Sequence, residues 1–165
     1  IRDRQELDKD KSLIGFAGAP WTLYRYMTGN NDASKLDPFD GIEDIQKLTN
    51  LVIEHLSKQI EAGCDTVQIF DSWAGLLEER DYPNYIYTPT LNLVDYVRSL
   101  NVPVICFPRD IKNYKEFCEI VKPDAVNIDY NVDPFMISKN LKIPVQGGLD
   151  PKILLTDQEL SLIHI

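Results

Sequence analysis

Five short apolar runs in this 165-residue sequence are each followed at once by residues that are able to contact a ligand. They include hydroxyl, aromatic, charged and glycine residues, which differ from the continuous apolar pattern of a strand buried on both faces. They occupy residues 18–26, 71–75, 108–110, 130–131 and 147–150. Because ligands bind at the carboxyl ends of the strands in parallel α/β folds, these segments predict one ring-shaped ligand site.

Glycines and tryptophans in this ring also have purely structural interpretations. Gly18 and Gly75 suit tight turns, and Trp21 and Trp73 suit a core in which the indole N–H finds a partner. The pair at 147–148 indicates close approach of the backbone to another group. That group is either a substrate or the neighbouring helix.

The polar residues of the ring leave similar alternatives open. Asp71 and Ser72 end a predicted strand before a turn, so capping and ligand binding are both possible. Arg109 can form an ion pair with Asp110 or with Asp129 at the rim of the predicted site.

Histidine and cysteine chemistry is disfavoured by position. His55 falls on an amphipathic helix pattern and His164 in the last residues, so neither follows a strand, and no Ser-His-Asp or histidine metal site is expected. Cys64, Cys106 and Cys118 are odd in number and widely spaced. They indicate buried free thiols in a reducing cytoplasm rather than disulfides or a zinc site.

The elements that must position the ring alternate between strands and helices. Strand-length runs rich in β-branched and aromatic residues cover 13–17, 66–70, 103–107, 125–129 and 143–146. Helix-spaced apolar residues cover 45–60, 91–100 and 111–121. Aspartates at 133, 150 and 157 resemble helix N-caps, and residues 28–35 resemble a flexible loop.

This alternation predicts parallel strands joined by right-handed crossovers in one domain over residues 1–165. A doubly wound sheet and a closed barrel both satisfy it. The sequence lacks a G-x-G-x-x-G after the first strand, and its last βα units are short, which favours a barrel. However, eight strands usually need about 250 residues.

Composition narrows the function classes. The chain is 44% hydrophobic and 26% charged, with a formal net charge of −9, so nucleic acid and anionic membranes are not expected partners. No apolar stretch approaches the roughly 20 residues of a membrane span, and no signal peptide is expected. The sequence starts at Ile1 and ends without a turn signal, so we expect an internal piece of a longer chain.

Three ordered motifs closely resemble those of uroporphyrinogen decarboxylases. The first is IGFAGAPWTL at 14–23, with Tyr26 following at the family's spacing. The second combines QIEAG at 59–63 with QIFDSWAG at 68–75, and the third is PVQGGLDP at 144–151. The resemblance covers nearly the whole chain.

This resemblance implies a (β/α)8 TIM barrel, of which about five βα units are present. It also implies removal of four acetate carboxyl groups, as carbon dioxide, from uroporphyrinogen III to give coproporphyrinogen III, without cofactor or metal, by a homodimer. Tyr26 and Ser72 match the family's substrate-binding residues. The family's substrate-holding arginines, its aspartate facing the pyrrole nitrogens and a histidine lie outside this stretch, so no catalytic residue is assigned and the chain alone is expected to be inactive.

Two departures from the family pattern stand out. Gly148 replaces the usual asparagine of the third motif, and residues 108–110 replace a Lys- or Gly-rich turn. Two other functions stay open: a related zinc-dependent corrinoid or coenzyme M methyltransferase barrel, and a non-catalytic barrel that acts as a scaffold.

Overall fold

The computed structural model describes residues 2–8, 10–29 and 41–153. It contains one five-stranded parallel sheet. Each strand begins and ends within two residues of the bounds of a predicted apolar run. The strands are β1 (Ile14–Gly18), β2 (Thr66–Asp71), β3 (Val104–Pro108), β4 (Ala125–Ile128) and β5 (Val145–Gly147).

Strand order distinguishes between the two architectures that the sequence left open. The strands neighbour one another in chain order, β1-β2-β3-β4-β5, and all four pairings are parallel. A doubly wound sheet reverses its strand order at a switch point, whereas a barrel does not. The sheet therefore has the order of a (β/α) barrel, as expected, and supplies five of the eight strands of that fold.

One described α-helix precedes β1, and five others connect the strands. They are α1 (Arg2–Glu6), α2 (Pro20–Thr28), α3 (Ile42–Glu61), α4 (Thr88–Ser99), α5 (Tyr114–Val121) and α6 (Pro134–Asn140). Pro20 and Pro134 stand at helix starts, where the missing N–H is not needed. Asp133 caps α6 by accepting from the backbone N–H of Phe135 at 2.8 Å, as predicted.

The two faces of the sheet differ sharply in exposure. Val67, Ile69 and Cys106 alternate along their strands and are buried in the core with the helices. Phe16 points to the opposite face and is 65% exposed. The alternation of side chains along a strand explains this division, and the exposed face corresponds to the interior of a barrel.

An aromatic row crosses the exposed face. Phe70 contacts Phe16 on one side and Phe107 on the other, with ring centroids 6.2 Å apart and nearly perpendicular rings in both pairs. Edge-to-face packing of this kind stabilises aromatic pairs. The row forms an apolar floor below the carboxyl ends of β1, β2 and β3.

The buried stripe of α4 differs from the predicted stripe. The spacing at 91, 94, 97 and 100 placed Leu91 and Leu100 in the core, but Leu100 is exposed and Leu93 is fully buried instead. Val94 and Val97 are buried, as the spacing predicted. Because an α-helix turns about 100° per residue, a three-residue repeat drifts by about 60° at each step, and its two ends leave the buried face. A π-helical turn at Pro83–Tyr87 precedes α4.

Two sequence predictions fall largely outside the described residues. The predicted loop at 28–35 is described only at Thr28, which ends α2, and at Gly29, whose φ of 61° terminates the helix. The predicted cap at Asp157 lies beyond the last described residue. Within the described part of the chain, no helix combines the length and apolar character needed to cross a bilayer.

Candidate active site

The two predicted substrate-binding residues lie in the segments that follow neighbouring strands. Ser72 directly follows β2 and is half-buried, and no described residue forms a hydrogen bond with its hydroxyl. Tyr26 lies near the end of α2, the helix that follows β1, and is 63% exposed. Alternation along β2 places Ser72 on the same face as Phe70, above the apolar floor.

Trp73 joins these two residues. Its ring packs edge to face against Tyr26, with centroids 6.0 Å apart and planes at 79°. Since Trp73 is the next residue after Ser72, Tyr26 lies beside the turn that carries the serine hydroxyl. The Trp73 indole nitrogen is buried and has no hydrogen-bond partner among the described residues.

Trp21 is a core residue, and it anchors the start of α2. Its indole N–H donates to the backbone carbonyl of Trp73 at 2.9 Å, and its side chain is almost fully buried. The guanidinium of Arg25, on the same helix, lies 5.6 Å from the centre of the Trp21 ring. This satisfied indole matches the structural interpretation of Trp21.

Asp71 forms a second link between α2 and β2. The hydroxyl of Thr22 donates to its Oδ1 at 2.7 Å, and both side chains are buried. No described residue donates a hydrogen bond to Oδ2, which is also buried. Burial raises the pKa of Asp71 to about 7, whereas the Thr22 hydroxyl and the nearby backbone N–H of Trp73 act to lower it.

Gly75 allows the loops after β2 and β3 to touch. Its N–H donates to the carbonyl of Arg109 at 3.0 Å. A Cβ at this glycine would lie 2.5 Å from both the Cβ and the carbonyl oxygen of Asp110. Close contact between loops, rather than a tight turn, therefore requires glycine here.

Arg109 pairs with Asp110, one of its two predicted partners. Its Nε lies 3.5 Å from Oδ2 of that aspartate, and both side chains are largely exposed. Its backbone N–H donates to the carbonyl of Asp71 at 3.1 Å. The guanidinium thus stands at the rim of the site beside a carboxylate.

The end of β4 carries a second buried aspartate. Oδ2 of Asp129 accepts from the Tyr114 hydroxyl at 2.7 Å and from the backbone N–H of Asp110 at 2.6 Å. The N–H of Asp129 in turn donates to the Tyr114 oxygen at 3.2 Å. Burial, followed by the hydrogen bond to Asp129, raises the pKa of Tyr114.

The glycine pair after β5 approaches a strand. A Cβ at Gly147 would lie 2.1 Å from Oδ1 of Asn127 and 2.8 Å from the carbonyl of Ile128. Both glycines have positive φ, 95° at Gly147 and 91° at Gly148. The close neighbour of Gly147 is therefore strand β4, whereas a Cβ at Gly148 would lie 3.9 Å from Pro134 of the neighbouring helix α6.

Sequence reasoning missed Thr22, whose hydroxyl meets a residue 49 positions away. No local pattern encodes such a contact, although its place in the first motif could have drawn attention to it. His55 is exposed and contacts Gln59, as its helical position suggested. In the described ranges, no group of three or more His, Cys, Asp or Glu residues is arranged to hold a metal ion.

Comparison with known proteins agrees with this geometry. The family model described as Uroporphyrinogen decarboxylase (URO-D) matches residues 2–162. The chain belongs to the uroporphyrinogen decarboxylase family. This membership agrees with the TIM-barrel order of the sheet, and the three motifs that indicated the family contain the ends of β1, β2 and β5.

Relatives named uroporphyrinogen decarboxylase come from several bacteria. The protein from Wolbachia sp. subsp. Drosophila simulans (strain wRi) is 41% identical over 160 residues, covering 92% of this chain and 47% of the relative. That from Jannaschia sp. (strain CCS1) is 40% identical over 171 residues, covering 94% and 49%. The chain therefore spans about half the length of the curated relatives it matches.

Proposed function

We propose that this chain supplies the β1–β5 side of a uroporphyrinogen decarboxylase active site. The reaction replaces each of the four acetate carboxylates of uroporphyrinogen III by a proton, releasing carbon dioxide and giving coproporphyrinogen III. The observation that carries the proposal is the edge-to-face contact of Tyr26 with Trp73. It brings the two substrate-binding candidates together at one edge of the sheet.

In this proposal Tyr26 and Ser72 bind rather than transfer protons. Their hydroxyl groups are suited to donate hydrogen bonds to substrate carboxylates, and Tyr26 also offers an aromatic edge to a flat macrocycle. Neither hydroxyl has a hydrogen-bond partner among the described residues, so both are available to a ligand.

The aromatic row supports the chemical step. Protonation of the electron-rich pyrrole creates an electron sink beside the acetate group. The C–C bond then breaks, its electrons move into the ring and carbon dioxide leaves. A proton next adds to the freed side-chain carbon, and the ring gives back the proton that it accepted at the start, so that one proton is taken up for each carboxylate lost. An apolar floor formed by Phe16, Phe70 and Phe107 excludes water from a carboxylate above it, which favours loss of the charged group.

The test is a chimera in which residues 2–162 replace the matched half of the Wolbachia relative. We expect it to convert uroporphyrinogen III to coproporphyrinogen III, measured by chromatography of the oxidised products. Tyr26→Phe and Ser72→Ala should each lower kcat/KM about tenfold, since each removes a hydrogen bond to a charged group. A folded chimera that releases no product would contradict the proposal.

The 165-residue chain alone should show only the uncatalysed rate. The family's arginines, aspartate and histidine lie outside the matched motifs, so the main anion-binding groups are not supplied by this stretch. Product formation by the isolated chain above background would show that these groups are dispensable.

The proposal includes a cytoplasmic homodimer that needs no metal or cofactor. Three free cysteines, at 64, 106 and 118, suit a reducing compartment. Sedimentation of the chimera tests the dimer, and cell fractionation tests the location. Stoichiometric zinc in the active chimera would instead favour the related methyltransferase barrels.

A further inference from the structure

We infer that Asp71 and Thr22 form a positioning pair that holds Tyr26 against the turn carrying Ser72. The inference rests on the proposed function, because it concerns the residues assigned there to substrate binding. Neither Thr22 nor Asp71 touches substrate in this scheme. Their hydrogen bond sets the distance between the two groups that do.

The hydrogen bond between Thr22 and Asp71 joins the two backbone segments that carry the binding residues. Thr22 precedes Tyr26 by one helical turn, so the two side chains share a face of α2. Asp71 directly precedes Ser72 at the end of β2. A displacement at the Thr22–Asp71 contact is therefore transmitted to Tyr26 through one helical turn and to Ser72 through one peptide bond.

Thr22 is also one of the described contacts that hold the start of α2 against β2 and the turn after it. The N–H of Ala19 donates to the carbonyl of Phe70 at 2.8 Å, and Trp21 donates to Trp73. After Thr22 the helix continues toward an end where Tyr26 and Met27 are mostly exposed. Of these three hydrogen bonds, the one from Thr22 is the nearest to Tyr26 along the helix.

The carboxylate is a costly way to hold two elements together. Asp71 is 4% exposed and has one buried oxygen with no donor among the described residues. An unsatisfied buried polar atom destabilises the folded state, and an apolar pair could fill the same space. Local rules are most often broken beside functional sites, because orientation there matters more than stability.

The first test uses the chain itself and does not depend on activity. In the NMR spectrum, the Tyr26 ring protons should carry a ring-current shift from Trp73, assigned by its loss in Trp73→Leu. Thr22→Val removes the hydroxyl at nearly constant volume and should abolish most of this shift, whereas Thr22→Ser should retain it. An unchanged shift in Thr22→Val would overturn the inference.

A matched control lies at the other end of the sheet. Tyr114→Phe removes a hydroxyl that also donates to a buried aspartate at 2.7 Å, but at the end of β4. It should lower thermal stability while leaving the Tyr26 ring-current shift unchanged. A loss of the shift in both variants would indicate general loosening of the fold and would also overturn the inference.

The second test measures kinetics in the chimera, far below each variant's unfolding temperature. Thr22→Val should lower kcat/KM about ten- to a hundredfold, because small displacements of substrate-positioning groups slow the reaction strongly. Thr22→Ser should recover most of that loss, and Tyr114→Phe should match the parent chimera. Equal kinetics for Thr22→Val and the parent would refute the positioning role.

The two tests separate failure of this inference from failure of the proposed function. A folded parent chimera without decarboxylation contradicts the function, whereas the NMR shift still reports whether Thr22 positions Tyr26. An active chimera with unchanged Thr22→Val contradicts only the inference.

Discussion

The ends of β2 and β4 each place a buried aspartate on the helix-covered face, yet the two carboxylates are satisfied differently. Asp129 receives two hydrogen bonds on one oxygen, and its own N–H returns one to Tyr114. Asp71 receives one, from Thr22, and its second oxygen has no donor among the described residues. Both hydroxyl–carboxylate distances are 2.7 Å.

This difference indicates that the two hydroxyl–carboxylate contacts have different roles. At β4 a closed network fixes the start of α5 and the loop after β3, which is a purely structural task. At β2 the less satisfied carboxylate lies next to Ser72, where burial has raised its pKa to about 7. Perturbed groups of this kind cluster at functional sites, because stability is given up there for orientation.

The largest effect that can test this contrast is the pH dependence of stability. The folded state keeps the Asp71 proton up to a pKa of about 7, whereas the unfolded state releases it near pH 4. Between these values the unfolded state binds fewer protons, so the free energy of unfolding falls as pH rises. From pH 5 to pH 8 this contribution drops by about 3 kcal/mol.

Asp71→Asn removes the titration and keeps an acceptor for Thr22. The free energy of unfolding should be measured in urea at several pH values. From pH 5 to pH 8 it should fall by about 3 kcal/mol less in the variant than in the wild type. Asp129→Asn serves as the comparison at β4, where two donors already satisfy the carboxylate oxygen. Parallel curves for wild type and Asp71→Asn would show that Asp71 is ionised throughout.

The next effect concerns the contact between the β2 and β3 loops. Gly75→Ala places a methyl group 2.5 Å from backbone and Cβ atoms of Asp110, which cannot move without shifting the loop. We expect a loss of about 3 kcal/mol, the upper end for overpacking, measured by thermal unfolding.

Gly18→Ala is the control for that substitution. Its new Cβ would lie 3.1 Å from Cδ2 of Leu23, the far end of a flexible side chain. The expected loss is below about 1 kcal/mol because that side chain can rotate away. Equal losses for the two alanine variants would mean that the loops are not held as described.

These loop contacts mark the limit of what the sequence predicts. Runs of apolar residues located all five strands, because burial on a parallel sheet needs continuous apolar segments. The strand-end rule selected Tyr26 and Ser72, which the structure brings to either side of Trp73. Neither pattern can reveal the meeting of Gly75 with Asp110, because it depends on how two loops fold over each other.

The two predicted helical stripes differ in outcome because their spacings differ. On α5, Tyr114, Phe117 and Val121 are buried as predicted, since spacings of three and four residues follow the helical repeat. On α4 a strict three-residue spacing drifts around the helix, so Val97 is buried but Leu100 is exposed. No pattern in the sequence indicated that Gly147 approaches strand β4, because that contact depends on how two strands pair.

A smaller effect tests the closed network at β4. Tyr114→Phe leaves one donor on Asp129 and removes the acceptor for the Asp129 N–H. We expect a loss of about 2 kcal/mol, typical of a buried hydrogen bond to a charged group, measured by urea unfolding. If Thr22→Val costs more stability than Tyr114→Phe, the view that β4 carries the stronger structural lock is wrong.

The smallest expected effect on stability concerns Arg109, in the loop after β3. Its ion pair with Asp110 is exposed, so Arg109→Gln should change the free energy of unfolding by less than about 1 kcal/mol. If the guanidinium also binds a substrate carboxylate at the rim, the same variant in the chimera should raise KM for uroporphyrinogen severalfold and leave kcat nearly unchanged. Arg98→Gln, which affects exposed ion pairs with Asp95 and Asp124, is the matched control. An unchanged KM in Arg109→Gln would assign Arg109 to the loop alone and confine substrate binding on this side of the barrel to the ends of β1 and β2.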